Sequence, residues 1–192
     1  MMREWPDLWL MRHGQTEWNA AGRMQGHLDS PLTALGREQA RRQAAIMAPI
    51  LDARADDIAL ISSPLGRAVE TANIVFGNRP FQLQPDFREI SVGAFEGRTH
   101  PDLEAEFPDL FSRSWLGWYD LAPDGEGLSR LRERVNAGLS ALTGPAAIVC
   151  HGITLRMIRL IVLGWANDRL EEMEVRQGAV HLLRAGQEKM IV

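Results

Sequence analysis

The segment Leu8-Trp9-Leu10-Met11-Arg12-His13-Gly14-Gln15 joins four consecutive apolar side chains to a cation, an imidazole and a glycine. An apolar run of this length, closed by a glycine turn, predicts a strand covered on both faces whose carboxyl end opens onto a loop. Arg12 is a permanent cation whose planar fork of donors suits a phosphate. His13, as neutral imidazole, has a ring nitrogen able to attack phosphorus. Gly14 is expected to let the backbone come close to whatever is bound there.

Working outward, two further apolar runs, Ile58–Ile61 and Ala146–Cys150, predict central strands of the same kind. Helical patterns alternate with them. Thr33 is placed to cap a helix through about Met47, with Ala40, Ala44 and Met47 on one stripe. Ser63-Pro64 has the form of a helix start, followed by Ala68, Ala72 and Val75 at helical spacing. Leu128, Leu131, Val135, Leu139 and Leu142 mark the clearest amphipathic helix, another is expected from Gly152 to about Leu163, and Gly178–Leu183 reads as a last strand. Alternation of this kind predicts an α/β three-layer sandwich with a mainly parallel central sheet flanked by helices. Ligands of such sheets bind outside the carboxyl ends of the strands. Arg12-His13-Gly14 and His151-Gly152 both fall at such ends.

At 192 residues the chain is long enough for one ample core and short for two full domains. A formal net charge of −4 argues against nucleic-acid or anionic-membrane partners, though it leaves room for a local cationic pocket. The lone cysteine, Cys150, permits no intramolecular disulfide and fits a reducing compartment. Residues Met1 to Pro6 lack the apolar core of a signal peptide. Met157 to Trp165 is interrupted by Arg159 and too short to span a bilayer, so a cytoplasmic location is expected.

Two more candidates stand near predicted strand ends. Arg67, in Ser62-Ser63-Pro64-Leu65-Gly66-Arg67, would lie in the first turn of a helix, aimed either at solvent or at an anion. Glu89, in Phe87-Arg88-Glu89-Ile90, is either a surface partner of Arg88 or a general acid for a leaving alkoxide. His27 is placed at a pocket entrance, His100 in a loop and His181 in the terminal strand, while Trp5 and Trp9 read as packing residues.

The run from Leu10 to Asn19 resembles the opening of the histidine phosphatase superfamily, also called phosphoglycerate mutase-like. The match continues through Gly22 to Thr33, Ser62 to Ala72, Arg88-Glu89-Ile90 with Gly93 and Phe95-Glu96-Gly97, and Cys150-His151-Gly152. The resemblance implies one domain over 1–192 with a cap-like insertion around 97–127. It implies hydrolysis of a small or moderate phosphomonoester through a phosphohistidine on His13. Arg12, Arg67 and a protonated His151 would hold the phosphoryl oxygens, with Asn19 and Gln25 as further phosphate-site residues. Glu89 would protonate the leaving oxygen and then activate water. Such a cationic field replaces the magnesium of other phosphatases, so no metal or cofactor is expected. The family often has Gly-Glu-Ser where this chain has Gly125-Glu126-Gly127, which leaves Glu126 as a possible pocket residue.

Three rivals were weighed. Cys150 and Arg156 have the Cys-x5-Arg spacing of cysteine-dependent phosphatases. A phosphoglycerate mutase would share the chemistry on His13 but must hold a second anionic group. Between Thr99 and Leu128 the chain offers Phe107, Phe111, Trp115, Trp118 and Tyr119, with Arg113 as the only arginine or lysine. That aromatic segment is either core packing or a cap that selects a ring-bearing or apolar substrate. A non-catalytic phosphate-ligand-binding relative is disfavoured by the intact set Arg12, His13, Arg67, Glu89 and His151. Oligomeric state is open.

Overall fold

Leu8, Trp9, Leu10 and Met11 are fully or almost fully buried because strand β1 (Leu8–Arg12) has hydrogen-bonded neighbours on both edges and helices on both faces. The computed structural model describes residues 4–54, 57–111 and 116–192. Six strands form one sheet. Besides β1 they are β2 (Ala59–Ser62), β3 (Gln82–Leu83), β4 (Ala146–Cys150), β5 (Val180–Arg184) and β6 (Gln187–Ile191), in the order β3-β2-β4-β1-β5-β6. The first four run parallel, β5 is antiparallel to β1, and β6 is antiparallel to β5.

Side-chain alternation on β1 and β4 sorts two cores. Leu8, Leu10, Ile148 and Cys150 face α6 (Gly127–Ser140) and α7 (Gly152–Val162), whereas Trp9, Met11, Ala147 and Val149 face α2 (Ala34–Ala53) and α3 (Gly66–Phe76). The three-layer α/β sandwich expected from the sequence is therefore the observed architecture. A short helix α1 (Glu17–Ala20) follows β1, and α4 (His100–Glu106) and α5 (Pro108–Phe111) belong to the segment over the site. No helix among the described residues is long and apolar enough to cross a membrane.

Four expectations need correction. Helix α2 runs on to Ala53 through Pro49, because Met47 and Leu51 continue its buried stripe at i, i+4. The stripe uses Gln43, not Ala44; its amide donates to the carbonyls of Arg12 and Ala179, both at 3.0 Å. Helix α3 begins at Gly66, not at Ser63-Pro64. Its first amides are capped from a distant loop by Asp29, at 2.6 Å from Gly66 and 3.3 Å from Arg67. His100 opens α4 and packs edge-on against Phe111. Strands β3 and β6 escaped prediction because the first is two exposed residues and the second is polar and only partly covered.

Candidate active site

Parallel registry brings the strand ends together. Arg12 pairs with Cys150, His13 donates its amide to the Cys150 carbonyl at 3.0 Å, and Ser63 donates to Val149 at 2.9 Å. The His13 and His151 rings consequently stand 5.2 Å apart between centroids. Gly14 serves a purpose other than the one expected. A side chain there would drive into the Gly36 carbonyl at 2.1 Å, so Gly14 lets the loop after β1 lie on the first turn of α2.

His13 is held in one tautomer. Its Nδ1 lies 2.7 Å from the Gly14 carbonyl, which can only accept, so Nδ1 carries the proton and Nε2 keeps its lone pair. Burial first, and then the charges of Arg67 and Arg12, hold its pKa well below 6.5. His151 is likewise buried and pushed well down, by desolvation and then by Arg67, His13 and Arg12. The site's own electrostatics thus oppose the expected protonated His151. Its Nε2 exchanges a 2.7 Å hydrogen bond with Ser63, whose hydroxyl also accepts from the Leu65 amide. With Ser63 donating to Nε2, the imidazole proton lies on Nδ1.

The two arginines differ. Arg67 is clamped: Nη1 donates to the Leu28 carbonyl at 2.7 Å and to Asp29 at 2.8 Å, and Nη2 donates to the Gly26 carbonyl at 2.8 Å. Arg12 makes no side-chain hydrogen bond to any described residue and lies flat against Gly152, where an added methyl would sit 3.5 Å from its guanidinium carbon. Burial lowers its pKa, offset in part by Glu89. Three buried nitrogens here, Arg12 Nε, Arg67 Nε and His151 Nδ1, have no partner among the described residues. Unpaired buried donors are costly, and three around one imidazole make a site shaped for an anion.

Glu89 is not the surface partner of Arg88. Its carboxylate sits on the amino end of α7, accepting from the amides of Ile90, Ile153 and Thr154 at 3.1, 3.2 and 3.0 Å and from the Thr154 hydroxyl at 3.1 Å. Arg134, unremarked in the sequence, supports that segment by donating to the carbonyls of Asp86 and Arg88. Glu126 accepts from Nε and Nη2 of Arg134, both at 2.7 Å, so it braces this loop and does not line the pocket. His27 also props the loop, through a 2.8 Å bond to the Glu89 carbonyl, and is not an entrance residue.

A cavity of about 190 Å³ opens over this constellation, lined by Arg12, His13, Asn19, Gln25, Arg67 and Glu89 and by the unforeseen Arg23. His151 lies behind this lining, fully buried. Asn19 forms a capping box with Thr16 that occupies its carbonyl oxygen. Gln25 accepts from Ser30, which leaves its amide hydrogens for the cavity. From the segment above, Tyr119 alone among the described rings of the aromatic group lines the cavity, stacked on Trp118 at 3.9 Å. Trp115 and Arg113 lie outside the described residues. A larger cavity, about 520 Å³, lies at the other end of β1 beside Trp5 and Arg184 and holds none of the candidate residues.

Residues 8–192 match the family model of the histidine phosphatase superfamily, branch 1. The chain belongs to that superfamily. Among curated members, "Probable phosphoglycerate mutase GpmB" of Escherichia fergusonii is 36% identical over 177 residues, covering 85% of this chain and 79% of that protein. Among solved superfamily structures, the alpha-ribazole phosphatase of Shigella flexneri superposes with a TM-score of 0.81 at 28% identity, over 97% of this chain and 95% of that one. A mycobacterial glucosyl-3-phosphoglycerate phosphatase, solved with VO3, gives 0.77 at 25% identity over 97% and 98%.

Proposed function

We propose that this histidine phosphatase superfamily member is a metal-independent phosphomonoester hydrolase working through a phosphohistidine on His13. The observation that carries the reading is His13 itself, neutral, with Nδ1 tied to Gly14 and Nε2 free among three unpartnered donors. In this scheme Nε2 attacks phosphorus as the ester bond breaks. Arg12 and Arg67 take equatorial oxygens through donors already in place, as does Nδ1 of His151; Asn19 and Gln25 add amide donors at the rim. A phosphoryl dianion beside His151 would also favour the imidazolium that burial alone opposes. Glu89, anchored on α7, gives a proton to the leaving oxygen and takes one from the attacking water.

The mutase name of the curated relatives favours a second reading, phosphoryl transfer back to a sugar acid. The cavity weighs against it: it is small, its cations are Arg12, Arg23 and Arg67, and the segment above contributes the phenol of Tyr119 to it. The deciding assay is p-nitrophenyl phosphate hydrolysis in EDTA, wild type beside His13→Ala. We expect turnover in the wild type alone, with a phosphohistidine trapped on acid-free quench. Activity surviving in His13→Ala refutes the covalent scheme. An inactive wild type that converts 3-phosphoglycerate in the presence of its bisphosphate replaces the hydrolase by the mutase.

A further inference from the structure

Thr154 sits in the first turn of α7 with no exposed surface. Its hydroxyl lies 2.6 Å from the Arg88 carbonyl and 3.1 Å from Glu89 Oε1, and it has one proton to give. The two oxygens of Glu89 are unequally served. Oε1 faces the amides of Ile90 and Thr154 as well as that hydroxyl, whereas Oε2 faces the Ile153 amide alone, at 3.2 Å. An oxygen already met by two amides and a hydroxyl has no room for a proton of its own. The transferable proton therefore belongs on Oε2.

We propose that Thr154 is a positioning residue for both half-reactions, anchoring Glu89 through Oε1 and moving its hydroxyl proton between the Arg88 carbonyl and Oε1 as Glu89 ionises. The proposal rests on the acid–base role given to Glu89 above. In the first half-reaction the Oε2 proton passes to the ester oxygen while the phosphorus–oxygen bond breaks and the bond to His13 Nε2 forms. Glu89 is left charged, and a charge-assisted bond from Thr154 becomes stronger than the neutral one to Arg88. In the second, water bonds to phosphorus, the bond to Nε2 breaks with its electron pair returning to nitrogen, and the water proton goes to Oε2. The hydroxyl then turns back to Arg88. Without it the charged state of Glu89 loses a donor, so the acid state persists to higher pH and the water step slows.

Other charged or titratable groups around Glu89 are Arg12 from β1, Arg156 from α7, Tyr119 from the turn at 117–120 and Cys150 from β4, with Arg134 and His27 at its main-chain carbonyl. Burial raises Tyr119 and Cys150, while His13 and His151 lie low, so a limb that moves in Thr154→Val and returns in Thr154→Ser reads the hydroxyl's bond to Glu89.

The test compares Thr154→Val, which keeps the shape, with Thr154→Ser, which keeps the hydroxyl, on phenyl phosphate and p-nitrophenyl phosphate. For Thr154→Val we expect the alkaline limb of kcat on phenyl phosphate to move up by roughly 0.5 to 1 pH unit, the worth of one hydrogen bond expressed as protonation. We also expect more phosphohistidine at steady state on p-nitrophenyl phosphate, and both changes reversed in Thr154→Ser. A lower kcat with an unmoved limb, or the same shift in Thr154→Ser, overturns the proposal and leaves Thr154 a packing residue. If Thr154→Val does not fold, Thr154→Ala carries the same expectations. Equal losses on the two esters in Glu89→Gln overturn the role of Glu89 itself, a separate result.

Discussion

The carboxyl end of the sheet and the segment above it are built on different plans. At the sheet end three functional side chains are fixed by the backbone or a helix terminus: His13 by Gly14, Arg67 by residues 26–29, Glu89 by the amino end of α7. The segment above is a run of short helices and turns held by rings on rings. Phe95 meets Phe107 at 5.5 Å, Phe111 meets Trp118 at 5.5 Å, and Trp118 carries Tyr119 over the cavity. The first plan places charge before a substrate arrives; the second places one amphipathic ring. Under the proposed function, chemistry falls to the sheet end and selectivity to this cap-like segment, and the two should separate under mutation.

The sharpest separation is expected within the sheet end itself. Arg12→Ala and Arg67→Ala should each cost about 10²- to 10³-fold in kcat, the usual loss for a preorganised donor to developing charge. Arg12 has no partner among the described residues, so its loss should leave the melting temperature nearly unchanged. Arg67 holds the loop at 26–29, and its loss should lower both activity and melting temperature. Steady-state kinetics beside calorimetry on the two variants makes the comparison. Equal melting temperatures would show that the clamp on Arg67 orients without stabilising.

A second, smaller effect concerns protons. His13 and His151 both titrate well below 6.5 in the fold, so below that pH the unfolded chain binds protons that the folded one refuses. Stability is then full above pH 6.5 and falls as pH drops toward the depressed values, by up to about 1.4 kcal/mol per unit for each histidine. Calorimetric melts between neutral and mildly acidic pH, with His151→Asn as comparison, read this directly. The variant should lose a clear part of the slope, and an unchanged slope would place the acid sensitivity elsewhere.

The same division explains what the sequence reveals. Leu8–Met11 and Ala146–Cys150 are legible as central strands because burial on both faces removes polar residues altogether. His13 and His151 are legible because each follows such a strand. What stays hidden is whatever depends on contacts between distant segments. Asp29 caps α3 from 37 residues away, and Glu89 caps α7 from 65 residues away, so neither cap has a local pattern. Local reasoning instead places the start of α3 at Ser63-Pro64 and leaves Glu89 between a pairing with Arg88 and an acid–base role. Glu126 misled for the same reason, since its partner Arg134 is a turn or two away but serves a third segment. In the cap, ring composition announces packing without showing which ring faces the cavity.

Tyr119 tests the selectivity half of the comparison. Tyr119→Ala should raise KM for p-nitrophenyl phosphate by about 3- to 10-fold, the loss expected for one aromatic contact, with kcat little changed. A fall in kcat comparable with that of Arg12→Ala would mean that the cap takes part in the chemistry and would erase the distinction drawn above.

The smallest effect expected is that of Cys150→Ser, and it bears on the choice of nucleophile. Cys150 ends β4 with no exposed surface, and its thiol points to the His151 carbonyl at 3.9 Å. Burial, reinforced by Glu89, pushes the thiol far above its ordinary range, the reverse of what a nucleophilic thiolate requires. The residues after it enter α7 at once, and that helix's first amides are already spent on Glu89, so no open loop cradles a phosphate there. Serine is slightly smaller and its hydroxyl would fall short of that carbonyl, so some stability should be lost. Activity of the folded variant should nonetheless stay within about twofold of the wild type, since in the His13 scheme the thiol touches no reacting atom. Inactivation of Cys150→Ser with His13→Ala still active would instead transfer the phosphoryl group to sulfur.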